Sequence, residues 1–256
     1  MSGADRIAGA FAASAKRAAL MPYLMGGFPT LDASRRVGQA YVAGGADLVE
    51  LGVPFSDPLA DGPVIHEAAV TALRAGARVE TVLELAAELA SAVPVVLMCY
   101  ANVVLAQGVE AFAGRLAEAG VSGLIVPDLP LEEAPSIRDA CDGAGVALVP
   151  LVAPTTPDDR FAAIGGLARG FLYAVSVVGT TGERADGNVS AVIERARSAT
   201  DLPVAVGFGI GTPERALAAA EAGADGVIVG SRLVRAAAGG EDVEALVRSF
   251  ATALAG

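Results

Sequence analysis

Nearly continuous apolar, β-branched runs recur along the chain at residues 20–25, 47–53, 93–100, 123–126, 146–152, 171–176, 202–206 and 226–229. Continuous rather than alternating runs predict eight short strands buried on both faces. Between them lie stretches rich in Ala, Leu and Glu with helical spacing, such as "VETVLELAAELA" and "VEAFAGRLAEAG". One junction repeats: "AGGADLVELG", "AEAGVSGLIVPD", "GAGVALVPLV" and "AEAGADGVIVG". Each predicts a helix that ends on a glycine in the left-handed conformation and turns straight into a strand. Helix, glycine, buried strand, repeated, is the pattern of a parallel sheet built from β-α units.

The whole chain of 256 residues has no Pro/Ser-rich linker or low-complexity segment. Eight strands in about 250 residues suit a closed barrel better than a doubly wound sheet. The expected fold is therefore α/β, a single-domain (β/α)8 TIM barrel over residues 1–256. The first 19 residues are expected to add a helix ahead of strand one.

Composition then narrows the function. The hydrophobic fraction is 54%, yet no apolar run reaches the roughly 18 residues of a membrane span. The N-terminal stretch "MSGADRIAGAFAASAKRAAL" is too interrupted by charge for a secretory signal. A soluble, cytoplasmic protein is expected. A net charge of −11 argues against a nucleic-acid partner. Cys99 and Cys141 form no C-x-x-C pair, which suits a reducing compartment, and Cys99 reads as a small core residue. His66 is the single histidine, so no metal site built on imidazole or thiolate is expected. Lys16 is the single lysine and precedes strand one. An aldolase that forms a Schiff base needs a lysine at a strand end, and so does a cofactor held as a lysine imine. Acid–base chemistry by carboxylates remains.

In a barrel of this kind the chemistry sits at the C-terminal ends of the strands. Along residues 47–53, Val49, Leu51 and Val53 share one face, whereas Leu48, Glu50 and Gly52 share the other. Glu50 is thereby predicted to point inside, close to the mouth. A poorly hydrated carboxyl there has its pKa raised toward the range useful for proton transfer. A structural ion pair with an arginine is the alternative. Asp61, one loop further on in "SDPLADGP", pairs with it as a second candidate, or else caps a helix starting near Pro63. Three glycine-bearing loops follow strands six to eight: "VGTTG", "GFGIGTP" and "VGSRL". They suit phosphate binding by backbone N–H groups, with Ser231 opening a helix whose dipole favours an anion. Tight turns alone are the duller explanation. The chain has neither the P-loop G-K-[ST] nor a G-x-G-x-x-G, since position 212 is Thr.

Taken in order, "PYLMGGFPT", "ELGVPFSDPLADGPVI", "MCYAN", "VPDLPLEE", "LVAPTTPDDR", "FLYAVSVVGTTG", "VAVGFGIGTPE" and "GVIVGSRLV" make the chain resemble the tryptophan synthase alpha subunit family. The resemblance covers essentially the whole length. It implies retro-aldol cleavage of indole-3-glycerol phosphate to indole and glyceraldehyde 3-phosphate. Glu50 would be the acid/base that protonates the indole carbon at the scissile bond. Asp61 would hold the indole N–H and stabilise the positive charge developing on the ring. Tyr173 would sit beside the substrate, and Thr181 would lie on a closing loop that pairs with Asp61. Tyr23, Met98, Tyr100, Ile125, Val152 and Phe208 would line the indole pocket, with Asp128 at the mouth.

The same resemblance gives the phosphate to Gly182, Gly209, Gly230 and Ser231. It also implies a beta subunit partner in an alpha2beta2 complex, faced by Ser56, Asp57, Pro58, Leu59 and Asn102. Pyridoxal phosphate is expected in that partner and no cofactor in this chain. Val177 stands where other members carry arginine after the serine, a departure that touches loop ordering rather than chemistry. Two rivals remain: another phosphate-binding barrel of sugar or indole metabolism, and a catalytically idle barrel that only activates a beta-type partner. Indole-glycerol-phosphate synthase is disfavoured by the missing lysine.

Overall fold

The structure, a computed structural model, describes residues 1–175, 189–207 and 209–256. Nine strands run β1 (Ala19–Met25), β2 (Val49–Gly52), β3 (Val95–Met98), β4 (Gly123–Ile125), β5 (Ala147–Leu148), β6 (Leu151–Val152), β7 (Leu172–Val175), β8 (Val204–Gly207) and β9 (Gly226–Val229). Helices α1 (Gly3–Ala13), α2 (Leu31–Ala43), α3 (Pro63–Arg74), α4 (Val79–Ala90), α5 (Ala101–Gln107) and α6 (Val109–Glu118) accompany the first half. Helices α7 (Ala134–Ala144), α8 (Asp158–Leu167), α9 (Val189–Ala199), α10 (Pro213–Glu221), α11 (Ser231–Gly239) and α12 (Val243–Ala255) accompany the second.

The strands are parallel and ordered β5-β4-β3-β2-β1-β9-β8-β7-β6. Only Val149 and Pro150 separate β5 from β6, so the two ends of that order are pieces of one run and the sheet closes on itself. The fifth expected strand is thus split. Pro150 has no N–H to give a ladder. Its carbonyl instead accepts from Tyr173 N at 3.1 Å, while Val149 N still donates to Leu124 O at 2.8 Å. One half pairs with β4, the other with β7.

The repeated glycine junctions behave as their sequence predicts. Gly145 caps α7 in the left-handed region at φ 74°, and Gly223 follows α10 at φ 99°. A side chain at either position would be strained.

Two faces follow from the strand period. Val49, Leu51 and Val53 pack in the layer between sheet and helices. Leu48 packs inside the barrel with Met21, Val96, Ile125, Phe171 and Ile228. Ahead of β1, α1 closes the N-terminal end of the barrel. Its start is fixed by a capping box in which Asp5 N donates to Ser2 Oγ at 3.2 Å and Ser2 N donates to Asp5 Oδ2 at 2.9 Å. Ile7, fully buried, plugs the interior with Phe11 and Ala10 against it.

Beneath that plug Ser122 is fully buried, and its hydroxyl has no hydrogen-bond partner among the described residues. An unpaired buried hydroxyl costs about 1–3 kcal/mol relative to an apolar group of the same shape. Ser122→Ala is expected to stabilise the fold by about 1 kcal/mol, read as a higher urea midpoint at unchanged m-value.

Candidate active site

The carboxyl groups lie at the C-terminal mouth. Glu50 sits in β2 in register with Tyr23 of β1 on one side and Val96 of β3 on the other. It is 2% exposed. The other buried polar side chains among the described residues are Ser34 and Ser122, so Glu50 is the one buried ionisable acid or base in that group. Burial, first, and the Asp61 charge, second, push its pKa up to about 8. No cation contributes to that balance, which removes the ion-pair alternative among the described residues.

Asp61 lies on the loop between β2 and α3 and is partly buried. Burial raises its pKa to about 6, with the Tyr100 hydroxyl and the His66 imidazole pulling the other way. Gly62, not Asp61, is the N-cap of α3, and no side chain caps that helix. The helix-cap alternative for Asp61 is therefore overturned: Pro63 at the first turn already removes one orphan N–H. At neutral pH Glu50 holds its proton and Asp61 is ionised. Two carboxyls so split by their surroundings can serve as acid and charge stabiliser in one site.

Three tyrosines surround the pair. Tyr23 and Tyr173 are buried, and desolvation followed by the two carboxylates drives both hydroxyls well above their ordinary range. Both remain neutral donors. Each is seated over a glycine: a Cβ built on Gly52 would overlap the Tyr23 hydroxyl, and one on Gly207 the Tyr173 hydroxyl. Those glycines leave the room that the tyrosines fill. Tyr100 stacks on Phe55 with ring centroids 5.2 Å apart. Met98 and Ile125 face the interior beside them.

Val152 does not. It packs outward with Phe161, Leu172 and Val192 against α8 and α9, and its neighbour Leu151, in register with Tyr173, faces inward. Alternation across Pro150 puts odd-numbered residues inside, so the expected pocket residue was one position off. Thr181, Gly182, Phe208 and Val177 lie outside the described residues. Asp128 accepts a hydrogen bond from Ala101 N at 2.8 Å, tying the loop after β4 to the start of α5.

On the phosphate side, Gly230 is the N-cap of α11 and Ser231 its first residue, directly after β9. The Gly230 backbone lies beside Tyr23, where a Cβ would come 3.7 Å from that of Tyr23. Gly209 has φ 77°, and its carbonyl accepts from Arg215 at 3.0 Å. On the outer rim Ser56, Asp57 and Asn102 are exposed, Pro58 is half-buried, and Leu59 is 85% exposed. Leu105, three residues along α5 from Asn102, adds a second apolar side chain at 56% exposure. Sequence reasoning missed Leu105, Leu151 and Phe55. Helical spacing from Asn102 and the strand period were the available signals for the first two. Among the described residues no group of three or more His, Cys, Asp or Glu side chains is arranged to hold a metal ion.

Fold and site together define a (β/α)8 barrel that carries a buried carboxyl, with a second carboxyl near it, at the C-terminal ends of its strands. A family model described as the tryptophan synthase alpha chain matches residues 10–254, and the chain belongs to that family. Among curated relatives, the tryptophan synthase alpha chain of Synechococcus elongatus is 49% identical, covering 85% of this chain and 84% of its own. That of Methanosarcina mazei is 47% identical over 93% and 88%. A solved tryptophan synthase from Mycobacterium tuberculosis superposes with a TM-score of 0.91 at 39% identity, covering 97% of this chain and 98% of that one. A chain of the tryptophan synthase alpha2beta2 complex of Pyrococcus furiosus gives 0.84 at 34% identity, covering 93% and 98%.

Proposed function

We propose that this chain, as one barrel domain, cleaves indole-3-glycerol phosphate to indole and glyceraldehyde 3-phosphate in tryptophan biosynthesis, with Glu50 and Asp61 as its working groups. The observation that carries the reading is Glu50, a buried acid at a strand end facing the barrel interior with a second carboxylate beside it. Glu50 gives its proton to the indole carbon at the scissile bond. The protonated ring becomes the electron sink, so no Schiff base is needed. The Asp61 carboxylate accepts the indole N–H and offsets the positive charge on the ring. The carbon–carbon bond then breaks as the neighbouring hydroxyl loses its proton to the Glu50 carboxylate, which restores the acid. Atoms balance without water or an oxidant.

Ser231 and Gly230 at the start of α11 suit the substrate phosphate, with Gly209 on the loop after β8. Tyr23, Tyr173, Met98, Ile125 and Leu151 supply the apolar wall for the indole. The partner is the tryptophan synthase beta subunit, received on Ser56–Leu59 and Asn102, and pyridoxal phosphate belongs to that subunit. No described helix is long and apolar enough to cross a membrane, and the setting we assign is the cytoplasm. The idle-barrel alternative gives no reason to keep Glu50 buried at a cost in stability.

The carboxylate pair sets a pH dependence. Activity needs Asp61 ionised and Glu50 protonated, so kcat/KM is expected to be bell-shaped. It should rise as Asp61 ionises near pH 6 and fall as Glu50 ionises near pH 8. A profile flat from pH 5 to 9 would contradict these roles.

A further inference from the structure

We propose that Tyr100 is a positioning residue that holds the Asp61 loop in its working place and links it to the surface where the partner docks. The proposal rests on the reading of Asp61 as the charged group of the site. The loop between β2 and α3 is held at its base by Val53 N donating to Met98 O at 2.8 Å, and beyond that base at two further points on the Tyr100 side chain. Near its start, Phe55 stacks on the Tyr100 ring at 5.2 Å with 24° between the planes. Near its end, Ala60 N donates to the Tyr100 hydroxyl at 3.1 Å. A phenol that accepts one hydrogen bond still has its own proton to donate. The Asp61 carboxyl, next along from Ala60, is near enough for that hydroxyl to act against the rise in its pKa.

The tyrosine is itself anchored. It is the N-cap residue of α5, whose first N–H, on Ala101, donates to Asp128 at 2.8 Å. Leu105 on α5 and Leu59, immediately before Ala60, are two of the few large apolar side chains left exposed among the described residues. Tyr100 thus joins two segments that each carry an exposed leucine, Leu59 next to Ala60 and Leu105 on α5. A partner that covers Leu59 and Leu105 presses on both sides of this staple. Docking and Asp61 geometry are then coupled through one phenol.

The test is Tyr100→Phe, which keeps the stacked ring and removes the hydroxyl, assayed for indole release with and without the beta subunit. Losing the Ala60 hydrogen bond and the hydroxyl near the Asp61 carboxyl is expected to lower kcat about tenfold with KM within about twofold. The acid limb of the pH–rate profile should move to higher pH, because a carboxylate that loses a donor holds its proton more tightly. The acceleration given by the beta subunit should shrink. Phe55→Leu, which keeps the hydroxyl and loosens the stack, should lower kcat in the same direction and serves if Tyr100→Phe fails to fold.

Wild-type kcat in either folded variant would overturn the proposal. So would a loss confined to KM, or a lower kcat with acid limb and acceleration unmoved, which marks simple packing. Asp61→Asn, run alongside, separates the two layers. Activity retained in Asp61→Asn brings down the reading of Asp61 itself. Activity lost there but kept in Tyr100→Phe brings down this proposal alone.

Discussion

Glu50→Gln is expected to lower indole formation about a thousandfold while making the folded chain more stable at alkaline pH. Glutamine fills the same volume, so packing against Tyr23 and Val96 is kept, but it has no proton to deliver to the ring carbon. General acid–base groups contribute roughly 10²- to 10⁴-fold, and Glu50 carries both proton transfers in the proposed cycle. The stability effect follows from linkage. In the folded chain Glu50 keeps its proton up to about pH 8, whereas unfolded it releases it near 4.5. Between those values the folded state binds more protons than the unfolded, so stability falls as pH rises through that window. Asp61, raised from 3.8 to about 6, adds a loss of the same sign at lower pH. Urea midpoints at pH 5 and pH 8.5 for wild type and Glu50→Gln measure this directly. A smaller alkaline loss in the variant is expected. Equal losses would mean that Glu50 is better solvated than its burial implies.

Asp61→Asn is expected to reduce kcat about 10²- to 10³-fold with a much smaller change in KM. The charge it opposes, on the protonated indole ring, exists only once the proton has moved, so its stabilisation is spent on the transition state. Asparagine can still accept the indole N–H through its carbonyl, which is why binding should survive. Stability at neutral pH should rise modestly, since Asp61 caps no helix and its raised pKa marks a charge that the fold disfavours. Single-turnover measurement with excess enzyme separates the chemical step from binding. A large rise in KM at constant kcat would make Asp61 a ground-state binding residue and remove its electrostatic role.

The barrel was legible because buried parallel strands and glycine-ended helices leave a repeating signature. The inward turn of Glu50 was legible from the period of two along 47–53, and the structure places Leu48 inside and Val49 outside accordingly. The expectation failed at one residue, Val152. Pro150 interrupts the ladder and splits the fifth strand, but the period of two runs on through it: Ala147, Val149 and Leu151 face inward, and counting from Ala147 points to Leu151 rather than Val152. The cap alternative for Asp61 also looked sound locally, but α3 starts one residue later, with Gly62 as its N-cap and no side chain capping it. Other contacts join loops distant in sequence. Local pattern cannot supply them: Phe55 on Tyr100 and Ala101 on Asp128 depend on which strands are neighbours. The seating of two tyrosine hydroxyls over Gly52 and Gly207 is of the same nature.

The central claim is that carboxylates in this barrel cleave the substrate without any help from lysine, and one measurement meets it directly. Purified chain would be given indole-3-glycerol phosphate, with and without a beta subunit, and indole and glyceraldehyde 3-phosphate quantified together. The account predicts both products in equal amounts, slowly from the chain alone and faster with the partner, and about a thousandfold less of both from Glu50→Gln. Indole absent under both conditions, or produced equally well by Glu50→Gln, would contradict it.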